Sequence, residues 1–275
     1  MPPRILMCPP DHYGIEYEIN PWMNRSLGAV RAVAFLQWNA LRDKLVELGA
    51  AVETLEPQAG LPDLVFTANA GLMYGNRFLS SRFKHEVRAK ESPVFDAWFA
   101  ANGFVVEHLP DGMYHEGAGD ALFCGEVLFA GYRTRSDANA HNWVAEHFGV
   151  RCLPLELVNP RYYHLDTCFC PLAPGVAIYF PDAFDDYGRR VLASHIPKLI
   201  PVNADEAGRF GCNAVAVGAS VIHNSRCPEL RESLTRAGYE SVEVELDEFL
   251  KAGGSAKCLT LRLDGEDAAS WKKES

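Results

Sequence analysis

The sequence lacks any uncharged apolar run of about 18 residues or more, the length that a bilayer-spanning helix needs. Its Met-Pro-Pro-Arg start lacks the charged and apolar regions of a secretion signal, so the expectation is a chain that stays in the cytoplasm. No linker or low-complexity segment divides the 275 residues, which predicts a single domain over 1–275. Basic residues are scarce: 26 Lys and Arg stand against 36 Asp and Glu, a net charge of −10. That balance disfavours nucleic acid and anionic membranes as partners and suits a small cationic ligand. Self-association into a homo-oligomer stays open. The eight cysteines, several of them inside apolar stretches (Cys124, Cys168, Cys170, Cys212), read as reduced thiols in a chain without an export signal.

What is present is an ordinary globular composition, 48% hydrophobic and 23% charged, organised as a repeat. Strand-turn-strand signals with glycine or small residues at the reversal occur at 64–80, 121–132, 162–180, 213–223 and 258–263. Their starts lie 41 to 57 residues apart, near the range of a supersecondary repeat. The last has one strand only, and residues 4–7 are the expected partner, joining the two ends of the chain. Helix signals fall between the hairpins. Residues 26–48 carry Val30, Ala34, Trp38, Leu41, Leu45 and Leu48 at three- and four-residue spacing before Gly49. Ser92-Pro93 opens a second helix that Gly103 closes. Residues 137–148, 182–196 and 228–237 supply three more, and short strands follow at 51–55, 104–109, 151–157 and 241–246. The unit reads ββαβ, five times. The predicted fold class is therefore α/β, a five-bladed α/β propeller with pseudo-five-fold symmetry, helices outside and strands toward an axis. An open mixed sheet with hairpin insertions is the alternative, and the charged tail 265–275 reads as frayed.

In a closed ring, equivalent positions of successive units meet near the axis. Chemistry-bearing side chains stand on or just before the first strand of their hairpins: Asn69 in Phe66-Thr67-Ala68-Asn69, Glu116 and Asp120 in Glu116-Gly117-Ala118-Gly119-Asp120, His164 and Asp166 in His164-Leu165-Asp166. Cys258 ends Gly253-Gly254-Ser255-Ala256-Lys257-Cys258, a segment suited to close backbone approach. Taken singly, the Glu-Gly-x-Gly-Asp loop reads as a turn and a lone His as a core residue. Converging, they give a pocket with acid, base and thiol groups.

These four motifs, in this order, resemble the signatures of the guanidine-modifying enzyme superfamily of arginine deiminases, dimethylarginine hydrolases and amidinotransferases. The compact length and Asn69 are most similar to the arginine dihydrolase branch. The resemblance implies the five-unit propeller and a hydrolase that cleaves guanidinium C–N bonds of free arginine through a covalent Cys258 thiouronium. It calls for no cofactor and no metal. A resonance-stabilised guanidinium carbon needs a soft, strong nucleophile, which a thiolate supplies. Asp166, with Asp120 beside it, fits the part of holding the planar cation by charge-assisted hydrogen bonds. His164 fits the proton carrier for departing ammonia and entering water, and Glu116, by family position, orients its imidazole. Asn20, Arg88 and Arg135 resemble residues that bind the α-amino and carboxylate ends, with Arg133 as the alternative to Arg135.

Two positions bear on the substrate. The carboxylate of Asp166 can accept from an unsubstituted NH2 group, which favours arginine over its methylated forms. Asn69 stands where most arginine deiminases carry aspartate, and an amide can donate to a ureido oxygen that a carboxylate would repel. That difference predicts passage through citrulline to ornithine, ammonia and carbon dioxide. Other readings are a deiminase or dimethylarginine hydrolase stopping at citrulline, an amidinotransferase, and a non-catalytic ribosome-binding propeller of the same fold. A zinc site on one strand face formed by His164, Asp166, Cys168 and Cys170 is a further alternative.

Overall fold

A computed structural model describes residues 2–274. Fifteen short strands form five separate three-stranded sheets: β1 (Arg4–Met7) with β2 (Ala51–Thr54); β3 (Gly71–Tyr74), β4 (Arg77–Ser80) and β5 (Val105–Glu107); β6 (Ala121–Cys124), β7 (Val127–Tyr132) and β8 (Arg151–Glu156); β9 (Phe169–Ala173), β10 (Val176–Tyr179) and β11 (Lys198–Pro201); β12 (Val215–Val217), β13 (Ser220–Asn224) and β14 (Glu240–Val244). The fifteenth, β15 (Leu261–Arg262), completes the first sheet in the order β15-β1-β2. In every sheet the middle strand is antiparallel to the first and parallel to the third. A parallel return needs a crossover, and a helix supplies it in each unit.

The expected closure between the chain ends is present: Ile5 pairs with Arg262 and Leu6 with Leu261. First strands and the turns before them touch their neighbours all the way round, β9 lying beside both β6 and β12, β15 beside the turn Thr67–Ala70, and the Lys257 amide donating to the Asn213 carbonyl between β12 and β15. The ring is closed, which excludes the open mixed sheet and gives the five-bladed α/β propeller. Helix Arg31–Glu47 buries Ala34, Trp38, Leu41 and Leu45 at the predicted spacing, each large apolar side chain contributing roughly 1.5 to 3 kcal/mol on burial. Pro228–Ala237 ends at Gly238 with φ +92°, and Ala138–Phe148 at Gly149 with φ +66°, the left-handed stop that glycine adopts without strain.

Several boundaries differ from expectation. The first helix begins at Arg31 instead of residue 26, because Gly28 takes a left-handed φ and the Val30 amide donates to the Glu248 carboxylate; Val30 itself is half exposed. Ser92 does not cap its helix, since its hydroxyl donates to the Ser81 carbonyl. The fourth long helix starts at Asp186, capped by Asp185 onto the Gly188 amide at 2.7 Å. Strand character expected at 64–70 and 162–168 is replaced by tight turns, Pro62–Val65, Thr67–Ala70 and Leu165–Thr167. These stretches are buried on all sides, so their apolar runs carry no period that separates strand from turn. The tail is not frayed as far as residue 272: Gly125 bonds to Ala268 and Ser270, and Trp271 packs on Tyr74 and Phe123. Ser275 lies outside the described residues. Among the described residues, no helix is long and apolar enough to cross a membrane.

Candidate active site

The inner turns deliver one polar residue per unit to the axis. Asn69 lies in Thr67–Ala70, Asp120 follows Gly117–Gly119, Asp166 lies in Leu165–Thr167, Asn213 precedes β12 and Cys258 precedes β15. Gly117, at φ +61°, lets the turns of adjacent units meet, because a Cβ there would stand 2.6 Å from the Gly71 carbonyl oxygen.

Cys258 Sγ is buried against the wall of a narrow pocket. It donates to Asp166 Oδ2 at 3.3 Å and receives the Asn213 Nδ2 amide at 3.1 Å. Burial, followed by the nearby Asp166 charge, pushes the thiol pKa well up, so without a ligand the sulfur is protonated. Burial likewise raises Asp166 to about 7, against the lowering effect of its bond to Cys258, of Lys257 and of the nearby Asn213 amide.

His164 Nε2 lies 2.7 Å from Glu116 Oε2, and Arg135 Nη1 donates to the same oxygen at 3.0 Å. Burial acts to raise the Glu116 pKa, but Arg135, the His164 bond and Arg88 together hold it well below the usual carboxylate range. An ionised carboxylate only accepts, so Nε2 carries the imidazole proton and Nδ1 presents its lone pair. Nδ1 is buried and has no hydrogen-bond partner in the protein. Burial lowers His164 to about 4 despite Glu116, which keeps the ring neutral near pH 7.

The rest of the pocket is polar. Arg88, Arg135, Asp63, Asn69 and Asn20 line it, with Tyr163, Phe66, Ile19 and Met23 as its apolar wall. Arg88 is held by both Glu91 oxygens, at 2.9 and 2.7 Å, and donates to Asn69 Oδ1 at 2.9 Å. That bond fixes Asn69, whose Nδ2 is left buried without a protein acceptor. Arg135 also donates to the Ile19 carbonyl and stacks 4.6 Å above the Tyr163 ring, while Tyr163 Oη donates to the Gly253 carbonyl at 2.6 Å. Asn20 Nδ2 donates to Ala252 O at 3.0 Å.

Of the expected site residues, Cys258, Asn69, Arg88, Arg135 and Asn20 line the pocket, Asp166 adjoins it through its bond to Cys258, and Glu116 and His164 adjoin it through Arg135. Arg133, the alternative to Arg135, turns outward to Glu156 at 2.6 Å and is more than half exposed. Asp120 stands behind the pocket and not on its wall: its oxygens accept from the Ser136 hydroxyl at 2.6 Å and the Leu165 amide at 3.1 Å, so it braces the His164 turn. The zinc alternative fails because the strand begins only at Phe169, so the four residues do not share a face. Cys168 and Cys170 donate instead to main-chain oxygens of Leu165 and Ala214. Among the described residues no cluster of His, Cys, Asp or Glu could hold a metal ion. Sequence reasoning missed Asp63 and Asn213. Asn213 was accessible from the repeat, since it occupies in the fourth unit the place that Asn69 occupies in the first. Asp63, alone in an apolar run, gave no comparable signal.

No family model matches the chain. It is 48% identical over 267 residues to the bifunctional arginine dihydrolase/ornithine cyclodeaminase ArgZ of Synechocystis sp., covering 94% of this chain and 37% of that protein. It is 38% identical over 263 residues to the N(G),N(G)-dimethylarginine dimethylaminohydrolase of Mycobacterium tuberculosis, covering 94% of this chain and 85% of that enzyme. The solved structure of a mutant N-terminal domain of ArgZ bound to substrate, an arginine dihydrolase of the cyanobacterial ornithine-ammonia cycle, superposes with a TM-score of 0.93 at 46% identity. That match covers 98% of this chain and 99% of the solved one. The chain thus spans well under half of the bifunctional relative and nearly all of its N-terminal domain. It belongs to the guanidine-modifying enzyme superfamily, in the group that holds arginine dihydrolases and dimethylarginine dimethylaminohydrolases.

Proposed function

We propose that residues 1–275 form one catalytic unit, an arginine dihydrolase that converts arginine and two waters to ornithine, two ammonia molecules and carbon dioxide. The observation that carries the reading is the Cys258 sulfur sharing a buried site with the Asp166 carboxylate at 3.3 Å. A guanidinium entering between them brings the positive charge that burial of Asp166 leaves uncompensated, and that charge eases ionisation of the thiol. The thiol proton passes to His164 Nδ1, and the thiolate attacks the guanidinium carbon. The imidazolium, stabilised by Glu116, gives its proton to the departing ammonia and leaves a thiouronium. His164 then takes a proton from water as that water displaces the sulfur. Arg135, whose Nε has no partner, and Arg88, with one N–H left over from Glu91, Asn69 and Asp63, offer their remaining N–H groups to the carboxylate end of the substrate. Eight free thiols favour a reducing compartment, the cytoplasm.

Mass spectrometry of the products from arginine, citrulline and dimethylarginine tests the reading. Ornithine and ammonia are expected from arginine; citrulline as the end product would replace the dihydrolase with a deiminase. Asn69 is the residue on which the second hydrolysis turns. With Oδ1 committed to Arg88, its free N–H can meet the ureido oxygen of citrulline, whereas a carboxylate there would face that oxygen as acceptor against acceptor. A mismatch of this kind costs about 1 to 3 kcal/mol, or about 5- to 150-fold in rate. Asn69→Asp is therefore expected to accumulate citrulline, and undiminished ornithine release from that variant would remove the explanation.

The acid limb of activity follows from Asp166. Protonated, it cannot accept two guanidinium hydrogens, so kcat/KM falls as pH drops below about 7, the value to which burial raises this group. Because Asp166 and Cys258 share a hydrogen bond, the limb belongs to the pair. His164, near 4, contributes nothing between pH 5.5 and 8. A kcat/KM profile that is flat across that interval would contradict the assignment.

A further inference from the structure

A nitrogen donor held 3.1 Å from the reacting sulfur is the feature that the reaction above leaves unused. Asn213 is fully buried and bonded at both ends of its amide. Its Oδ1 accepts the main-chain N–H groups of Ser255 at 3.0 Å and Cys258 at 3.1 Å. Two donors at that end identify it as oxygen, because a reversed amide would set N–H against N–H twice. The NH2 end must then face the other way, where it donates to the Asp166 carbonyl at 2.9 Å and to Cys258 Sγ. One side chain of the fourth unit thus fixes the nucleophile's loop in the fifth and reaches the carboxylate-bearing turn in the third.

The sulfur has neighbours of opposite sense. Asp166 Oδ2 accepts from it and favours the S–H form, whereas an N–H donor favours the thiolate. Tyr163 is a further titratable group near the sulfur, with the His164 ring 4.7 Å from its own; Asp63, Arg88 and Arg135 share the pocket, and Lys257 is turned to Glu266. None of these places an N–H on the sulfur; besides Asn213, the main-chain N–H of Ser255 acts on it in the same sense, and Asn213 Oδ1 accepts from that N–H. We propose that Asn213 is a further catalytic residue, its amide N–H held on Cys258 Sγ to stabilise the thiolate both when it attacks and when water displaces it from the thiouronium. The proton released in the first event goes to His164 Nδ1 and the S–C bond forms. In the second that bond breaks, its electron pair returns to sulfur, and the same N–H meets it. This inference rests on Cys258 being the nucleophile.

Asn213→Asp separates the two ends of the amide. A carboxylate still accepts from Ser255 and Cys258 but donates nothing to sulfur. The reading is the pH midpoint of Cys258 alkylation by iodoacetamide, followed on the Cys258 peptide by mass spectrometry, so it does not depend on the substrate. Loss of a hydrogen bond to a charged group moves the midpoint up by about one to two pH units. The same loss lowers kcat at least about tenfold while leaving KM within about threefold. An unchanged midpoint in folded variant would overturn the proposal. Should the variant not fold, the wild-type protein decides: the Asn213 side-chain amide signal in an NMR titration is expected to shift in step with the alkylation midpoint, and a signal that stays still refutes the contact. Arginine turnover that is indifferent to Cys258→Ser would instead remove the nucleophile itself, an outcome distinct from either.

Discussion

Cys258→Ser is expected to lower arginine turnover by about 10³- to 10⁶-fold, the range seen when a nucleophile is deleted from a unit that acts together. At this residue chemistry and folding are separable. A serine hydroxyl fills nearly the same space, can donate to Asp166 and can accept from Asn213, so the buried network keeps its partners and thermal stability should change by about 1 kcal/mol or less. What is lost is a soft nucleophile whose proton can be removed near neutral pH. The imidazole of His164, lowered to about 4, is too weak a base to ionise a hydroxyl in bulk, and a guanidinium carbon is too poor an electrophile to accept a neutral one. Ammonia release by the folded variant within tenfold of wild type would sink the covalent mechanism. Binding should survive, because Arg88, Arg135 and Asp166 are untouched, and arginine titrated into the inactive variant offers a direct measure of the ground-state contribution of those residues.

How much of this was legible in the chain depends on whether the interaction was local. The stop at Gly149, the span Pro228–Ala237 and the hairpin at 121–132 follow from short-range rules, and the structure repeats them residue by residue. The pairing of Arg4–Met7 with the last strand is long-range, yet it was accessible because four complete units imply the missing half of a fifth. The pocket was accessible for the same reason: symmetry converts sequence spacing into proximity. What symmetry does not supply is saturation. Arg88 is expected at the substrate's end from the resemblance alone, and only the folded structure reveals that Glu91, Asn69 and Asp63 surround its guanidinium. Asp120 reads as a ligand-facing acid by its motif, and its engagement with Ser136, sixteen residues on, turns it into a brace. The turns bearing Asn69 and Asp166 read as strands in the sequence because a run buried on every side has no alternation to betray its geometry.

Glu116→Gln is the substitution with the largest combined effect on activity and stability. Three donors surround the two oxygens of Glu116: the Lys84 amide at 3.1 Å on Oε1, with Arg135 at 3.0 Å and His164 at 2.7 Å on Oε2. A glutamine has one acceptor oxygen, so at least one donor loses its partner whichever way the amide turns. If the oxygen stays with Lys84, the NH2 group faces Arg135 and His164. The imidazole can then satisfy it only by presenting a bare Nε2, which moves its proton to Nδ1 and blocks the atom that must accept one. Holding an imidazole in the wrong tautomer costs about 10⁴ in kcat in serine proteases, and a loss of about 10² to 10⁴ is expected here. If the oxygen turns to His164, the tautomer survives, but Arg135 still faces a neutral group. Either way a buried guanidinium loses its counter-charge, worth about 3 to 5 kcal/mol of stability. The pH dependence gives an independent check. The folded pKa of Glu116 is depressed below its unfolded value near 4.5, so its stabilisation is fully present above that value and is lost as pH falls toward the folded one. The gap in melting temperature between wild type and Glu116→Gln should be wide at pH 7, nearly unchanged at pH 5.5, and narrower at pH 3. Calorimetry showing a gap that widens on acidification, or a variant with wild-type kcat, would mean that the Glu116 carboxylate neither anchors Arg135 nor sets the proton on His164.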